Sequence, residues 1–336
     1  MKFIRQIASL VVLIGLALTT TGLPSSQAAP TAPSLYLPIV SNLGYPSLFG
    51  CPAFPPDNIW NRRIDSLPAD QTLTATYLNN MGGPTRKLHA DFGDPAGIYG
   101  GPFGIPYTSV SAGQALANIS FYYNEQSDPG PYPIPPNVPI EGGSDHHVLV
   151  VDRSTCKLYE MWDSTKVSDS AWTAGSGAVF DLRSNALRPD TWTSADAAGL
   201  PILPGLLRYD EIVSGSIQHA IRFTTHATQR AYVWPARHQA GSQDSTSYPP
   251  MGARFRLKAS VDISGYDPSI QVVFKAFKEY GLILADNGSD WYISGAPDPH
   301  WNDDLLVSAF SSLHAQDFEY VDVSSLMISP DSGQSK

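Results

Sequence analysis

Proline and glycine are spread so densely through this chain that long regular elements have little room. There are 29 Pro and 27 Gly among 336 residues, and Pro129 to Pro139 alone encloses five further prolines or glycines. Such a stretch is extended or turned and never helical, because proline fixes φ and removes an amide donor. Between the breakers lie short strand-like runs at Ile119–Tyr123, His147–Val151, Lys157–Trp162, Ala178–Leu182, Ile217–Thr224, Ala231–Trp234 and Arg254–Val261. Turn segments such as Asp128-Pro129-Gly130-Pro131 and Asp152-Arg153-Ser154-Thr155 separate them. Helical spacing is clearest from Pro268 or Ser269 to Tyr280, where Ile270, Val273, Phe274 and Phe277 recur at three- and four-residue steps and Gly281 stops the run. A second short helix is expected from Asp303 to Leu313. Strands first and helices late predict a mainly β chain: a β-sandwich or jelly-roll-like single domain with one or two peripheral helices near the C-terminus.

The first 29 residues read as a secretory signal peptide. Lys2 and Arg5 precede the apolar run Ile7–Leu18, and Ser26-Gln27-Ala28 offers a small-x-small cleavage site. Residues 30–50 then form a short leader, 51–325 a single β-rich domain and 326–336 a flexible tail. The alternative for the start is an uncleaved anchor, but its apolar run is shorter than the roughly 20 residues a span needs. Removing Lys2 and Arg5 takes the formal charge of −10 to −12. So acidic a chain lacks the electrostatic footprint of a nucleic-acid or anionic-membrane binder. A secreted protein with two cysteines predicts one disulfide, Cys51 to Cys156, tying the start of the domain to a central hairpin.

That hairpin is the most informative segment. With its turn at Arg153-Ser154, residues Glu141 to Trp162 would set Val151 against Cys156, Leu149 against Leu158, His147 against Glu160 and Asp145 against Trp162. Alternate side chains share a face, so Asp145, His147, Glu160 and Trp162 would gather at one end of an apolar row. Val148, Val150, Tyr159 and Met161 occupy the other face, so both faces are covered and the strands are central. A buried Glu opposite a His is costly unless paired. A structural His–Glu pair and a catalytic cluster both fit that pattern. The five residues Leu158-Tyr-Glu160-Met-Trp162 resemble the carboxylate-bearing strands of jelly-roll endoglucanases.

Other candidates are more isolated. His219 heads the apolar row Ile221 and Phe223, as a core histidine or a catalyst. Tyr232 to His238 ends a run with Trp234, Arg237 and His238, residues suited to lining a cleft or to packing. The loop Trp192 to Gly205 is too apolar to be solvated and should fold back, part-burying Asp196, which either caps a turn or supplies a second carboxylate. Gly175-Ser-Gly177 reads as a short flexible turn. The Asp286-Asn-Gly-Ser289-Asp290 stretch reads as a turn without EF-hand spacing. No phosphate loop, GxSxG elbow or HExxH occurs, so no cofactor and no metal are expected; a three-ligand alternative would need Asp145, His147 and His219 together.

These readings converge on a secreted carbohydrate-active enzyme. The leading form is a glycoside hydrolase cleaving a neutral polysaccharide with two carboxyl groups. Glu160 is the first choice, Asp145 or Asp196 its partner, and His147 and His219 tune proton affinities. Trp162, Trp192, Trp234, His238 and Arg222 would bind the sugar. The partner is then an extracellular polysaccharide or oligosaccharide, with no nucleic acid and no membrane once the signal is cleaved. Alternatives are a polysaccharide lyase, which needs Arg222, Arg237, Arg254 or Arg256 in its groove, a metal-dependent hydrolase, or a lectin-like protein without turnover.

Overall fold

The computed structural model describes residues 44–97 and 103–336, all within one compact unit. The signal peptide and most of the leader lie outside the described residues. Strands in several sheets dominate, with few helices. One sheet of four strands runs in the order Ser176–Asp181, Lys157–Trp162, Val148–Asp152, Tyr107–Val110. A six-stranded sheet runs Phe318–Val321, Arg254–Leu257, Leu282–Asn287, Ile221–Thr225, Tyr292–Ser294, His89–Asp91. A small sheet joins Asn118–Phe121, Ala171–Ala174 and Thr165–Ser168. Each of these three sheets contains at least one parallel pair, as between Ile221–Thr225 and Leu282–Asn287. A jelly roll is an antiparallel ladder, so the topology departs from that expectation.

The parallel pairing explains the clearest helix. Parallel neighbours need a long crossover, and Pro268–Glu279 lies on the one between Ile221–Thr225 and Leu282–Asn287. It buries Ile270, Val273, Phe274, Ala276 and Phe277 in the main core, so it is integral and not peripheral decoration. Asp303–Ser312 is the second expected helix. Gln71–Asn80 and Tyr209–Ser214 are additional: the former is capped by Asp70 but too threonine-rich and weakly amphipathic to stand out.

Alternation in the four-stranded sheet is as the residues dictate. Leu149, Val151, Leu158 and Ala178 enter the core shared with the six-stranded sheet, while Val148, Val150 and Met161 pack with Tyr132, Ile134 and Trp172 on the other side. Both faces are covered. The hairpin register differs from the expected one by two residues, with Leu149 opposite Glu160 and Val151 opposite Leu158. Its loop spans Arg153–Cys156, not two residues: Asp152 accepts from the Ser154 amide at 2.8 Å, and Cys156 sits at φ 53° in the disulfide to Cys51. A shift of two preserves every face. Ala231–Trp234 is no strand, and Tyr232 makes only a bridge to Met251. Residues 326–336 are not a loose tail: Ser335 is buried, its amide bonds the Asp57 carbonyl, and Gly333 donates to the Asn185 carbonyl. Among the described residues no helix is long and apolar enough to cross a membrane.

Candidate active site

The loop 193–207 folds back over the domain, with Ala195, Ala198, Leu200, Ile202 and Leu203 buried. Two hairpin residues hold it there. The Glu160 carboxylate, fully buried, accepts from the Ile202 amide at 2.9 Å and the Leu203 amide at 2.9 Å, where the short helix Leu203–Gly205 begins. Burial pushes Glu160 up to about 7, against the pull of those two amides. His147 is buried too, with Nδ1 on the Glu141 carboxylate and Nε2 donating to the Ala195 carbonyl at 3.1 Å. Both ring nitrogens face acceptors, the arrangement an imidazolium satisfies. Burial works to lower its proton affinity, but the Glu141 hydrogen bond and charge prevail and raise it. His147 and Glu160 thus share a face as expected, yet each grips a different partner, and neither is among the residues that line the neighbouring cavity.

The cavity lies just beyond them and measures about 360 Å³. Asp145 and Trp162 line it from the hairpin, Ser194 to Ala197 from the folded loop, His238 and Ala240 from the next, and Asp286 and Asn287 from the end of a strand; Tyr123, Gln126, Thr193 and Ser176 complete the wall. Leu282–Asn287 runs parallel to Ile221–Thr225, so its carboxyl end is where open sheets containing parallel strands place ligand sites. Trp162 Nε1 donates to Asp145 Oδ1 at 3.5 Å, and the Asp163 amide donates to the Asp145 carbonyl at 2.7 Å.

Two residues of this wall, Asp196 and Asp286, form a charged group with Arg222 behind them. Asp196 is fully buried and accepts a bidentate pair from Arg222, Nε to Oδ2 at 2.9 Å and Nη2 to Oδ1 at 2.8 Å. Arg222 also donates to Ser294 Oγ, while Asp286 Oδ2 lies 3.8 Å from Nη2. The guanidinium is therefore committed to Asp196, and Asp286 receives only part of its field. Burial first, then the Asp196 charge, push Asp286 up to about 8 despite the opposing pull of Arg222 and His147. Its side chain retains 26% exposure. A carboxyl whose protonated form is favoured and that still faces a cavity is equipped to donate a proton. His238 Nδ1 donates to the Ala197 carbonyl at 2.8 Å.

The remaining expected residues lie elsewhere. His219 bonds Glu211 at 3.0 Å through Nε2 and the Ala220 carbonyl through Nδ1, a separate buried group with Arg208. Trp192 lies beneath the Arg188 guanidinium, 5.6 Å from its ring centre. Trp234 donates to the Ser332 carbonyl and lines a different pocket. Asp145, His147 and His219 have separate partners, and among the described residues no group of three His, Cys, Asp or Glu is gathered as a metal requires. None of the four arginines a lyase would need lines the cavity: Arg237 is held by Asp331, Arg254 by the Tyr280 carbonyl and Arg256 by Glu319. Asp286 was read only as part of a turn. The apolar run Leu282–Ala285 ending in Asp286-Asn287 was the available signal for a carboxylate at a strand's carboxyl end.

The chain matches no family model, no curated protein and no solved structure.

Proposed function

We propose that the chain is an exported glycoside hydrolase acting on a neutral polysaccharide, with Asp286 as its acid. The observation that carries this reading is geometric: two carboxyl groups, Asp286 and Asp145, line one 360 Å³ cavity, and Asp286, pushed up by burial and the Asp196 charge, stands beside the buried Arg222–Asp196 pair. In this reading the four- and six-stranded sheets are the two layers of a sandwich-like scaffold, and the cleft lies where their strand ends meet. Asp286 protonates the glycosidic oxygen as the bond breaks, and Asp145 supplies the second carboxylate, as base or nucleophile, to the sugar's opposite face. Asp196 is a positioning residue: held by Arg222, it sets a negative charge beside Asp286 that, with burial, favours the protonated form against the pull of Arg222. Trp162 offers a face to a sugar ring. Glu160, first choice on the residues alone, becomes the anchor of the loop that carries Asp196.

The test is a panel of neutral, acidic and amino polysaccharides, with products followed as reducing ends and as unsaturated sugars. The expected result is reducing ends without unsaturation, with Asp286→Asn lowering kcat by about 10²- to 10⁴-fold. Unsaturated products would move the chemistry to elimination. Full activity in Asp286→Asn would remove the acid from this account, and retention of a polymer without products would leave a binding protein.

A further inference from the structure

Three aromatic rings stand in a row at one edge of the cavity. Tyr123 and Trp162 line it with their rings nearly parallel, centroids 6.4 Å apart and planes inclined by 27°. Tyr122 extends the row outward, its ring edge-on to Tyr123 at 4.8 Å. Among the described residues Tyr122 is the most exposed large apolar side chain, at 80%, and Tyr123 is 46% exposed. Two adjacent exposed rings beside a polar cavity are an unusual use of surface, since large aromatics dominate burial and interface energetics.

The main chain that carries the two tyrosines is fixed. The Tyr122 amide donates to the Ala174 carbonyl at 3.0 Å and the Tyr123 amide to the Gly175 carbonyl at 2.9 Å. The Trp162 indole packs closely on Gly175, where an added Cβ would meet its benzo-ring carbons at 2.3 Å. Gly177, next but one, gives the same clearance to Phe121 at 2.5 Å. The Gly175-Ser-Gly177 segment is therefore a bed for aromatic rings, with Gly177 inside a strand, and not a flexible turn.

We propose that Tyr122, Tyr123 and Trp162 form a stacking platform for a glycan chain leaving the cavity, so that the substrate is a polymer or long oligomer and not a single glycoside. The chemistry points to sugars because each unit presents an apolar ring face to an aromatic and polar edges to side chains such as Gln126, Asp145 and Asn287. This inference rests on the cavity being a glycan site. It does not require that the glycan be cleaved.

The experiment uses the full mature chain carrying Asp286→Asn, so that nothing is turned over. Dissociation constants are measured for neutral oligosaccharides of increasing length, glucose-, xylose- and mannose-based, by calorimetry and by Trp fluorescence. Affinity is expected to climb with length. Tyr122→Ala should remove the gain of the longest members, a loss of roughly twofold to tenfold for one aromatic contact, and Tyr122→Phe should restore it. Gly175→Ala, by lifting Trp162, should cost more and alter the fluorescence response. Because Tyr122 is exposed, its substitution leaves folding intact. Binding that ignores length, or Tyr122→Ala matching its parent, would overturn the platform and leave the hydrolase reading standing. Length-dependent binding by a wild-type protein that cleaves nothing would uphold the platform and overturn the hydrolase. No binding of any glycan would overturn both.

Discussion

Glu160 and Asp286 are both carboxyl groups raised by burial, to about 7 and about 8, and their roles differ because their exits differ. Both Glu160 oxygens are taken by backbone amides and none of the residue is exposed, so its proton has nowhere to go. Its contribution is to stability, with a definite sign. A carboxyl raised in the fold from 4.5 to about 7 stabilises most below pH 4.5, and that contribution is lost as pH rises through about 7. On the scale of 1.36 kcal/mol per unit this is on the order of 3 kcal/mol. Glu160→Gln cannot titrate, so its urea midpoint should fall less steeply than wild type between pH 5 and 7, and the variant should be roughly 1–3 kcal/mol weaker at pH 5. An unchanged slope, or lost turnover at undiminished stability, would mean that Glu160 belongs to the chemistry.

Whole elements were readable where their instructions are local. Helix Pro268–Glu279 shows its cap, Asp267, which accepts from the Ser269 amide at 2.9 Å, its first-turn proline, its apolar spacing and its stop. Gly281 is that stop: it sits at φ 71°, and a Cβ there would lie 2.3 Å from the Phe255 carbonyl oxygen. Gly281→Ala should therefore cost at least about 2 kcal/mol. Gly265→Ala, with nothing within 4 Å, is the neutral comparison. Equal denaturation midpoints for the two would contradict the close approach. The hairpin register was harder to read, because it depends on Cys156 taking a left-handed conformation within a disulfide to a residue 105 positions away. The alternating pattern determines which face each residue takes. It leaves a shift of two residues undetermined.

At the scale of the whole molecule, the cleft joins strand ends and loops that are far apart in the chain, and its electrostatics are entirely non-local. Asp145, Trp162 and His238 could be picked out at the ends of strand-like runs, Asp196 within an unusually apolar loop and Arg222 within a strand-like run. Asp286 also ends an apolar run, Leu282–Ala285, but what distinguishes it is the buried Arg222–Asp196 pair beside it, contributed by segments outside its own strand. His219 and Trp234 satisfied the same local pattern, but folding sent them to Glu211 and to the Ser332 carbonyl. A sequence pattern marks groups that must be satisfied; the tertiary structure decides which of them faces a ligand. The most direct measurement is a carboxyl titration by ¹³C NMR of the mature chain, assigning Asp286 as the signal missing from Asp286→Asn. Our account predicts an inflection near pH 8, with the acid still protonated at neutral pH. An inflection near 4 would make Asp286 an ordinary carboxylate and remove the acid from the proposed mechanism.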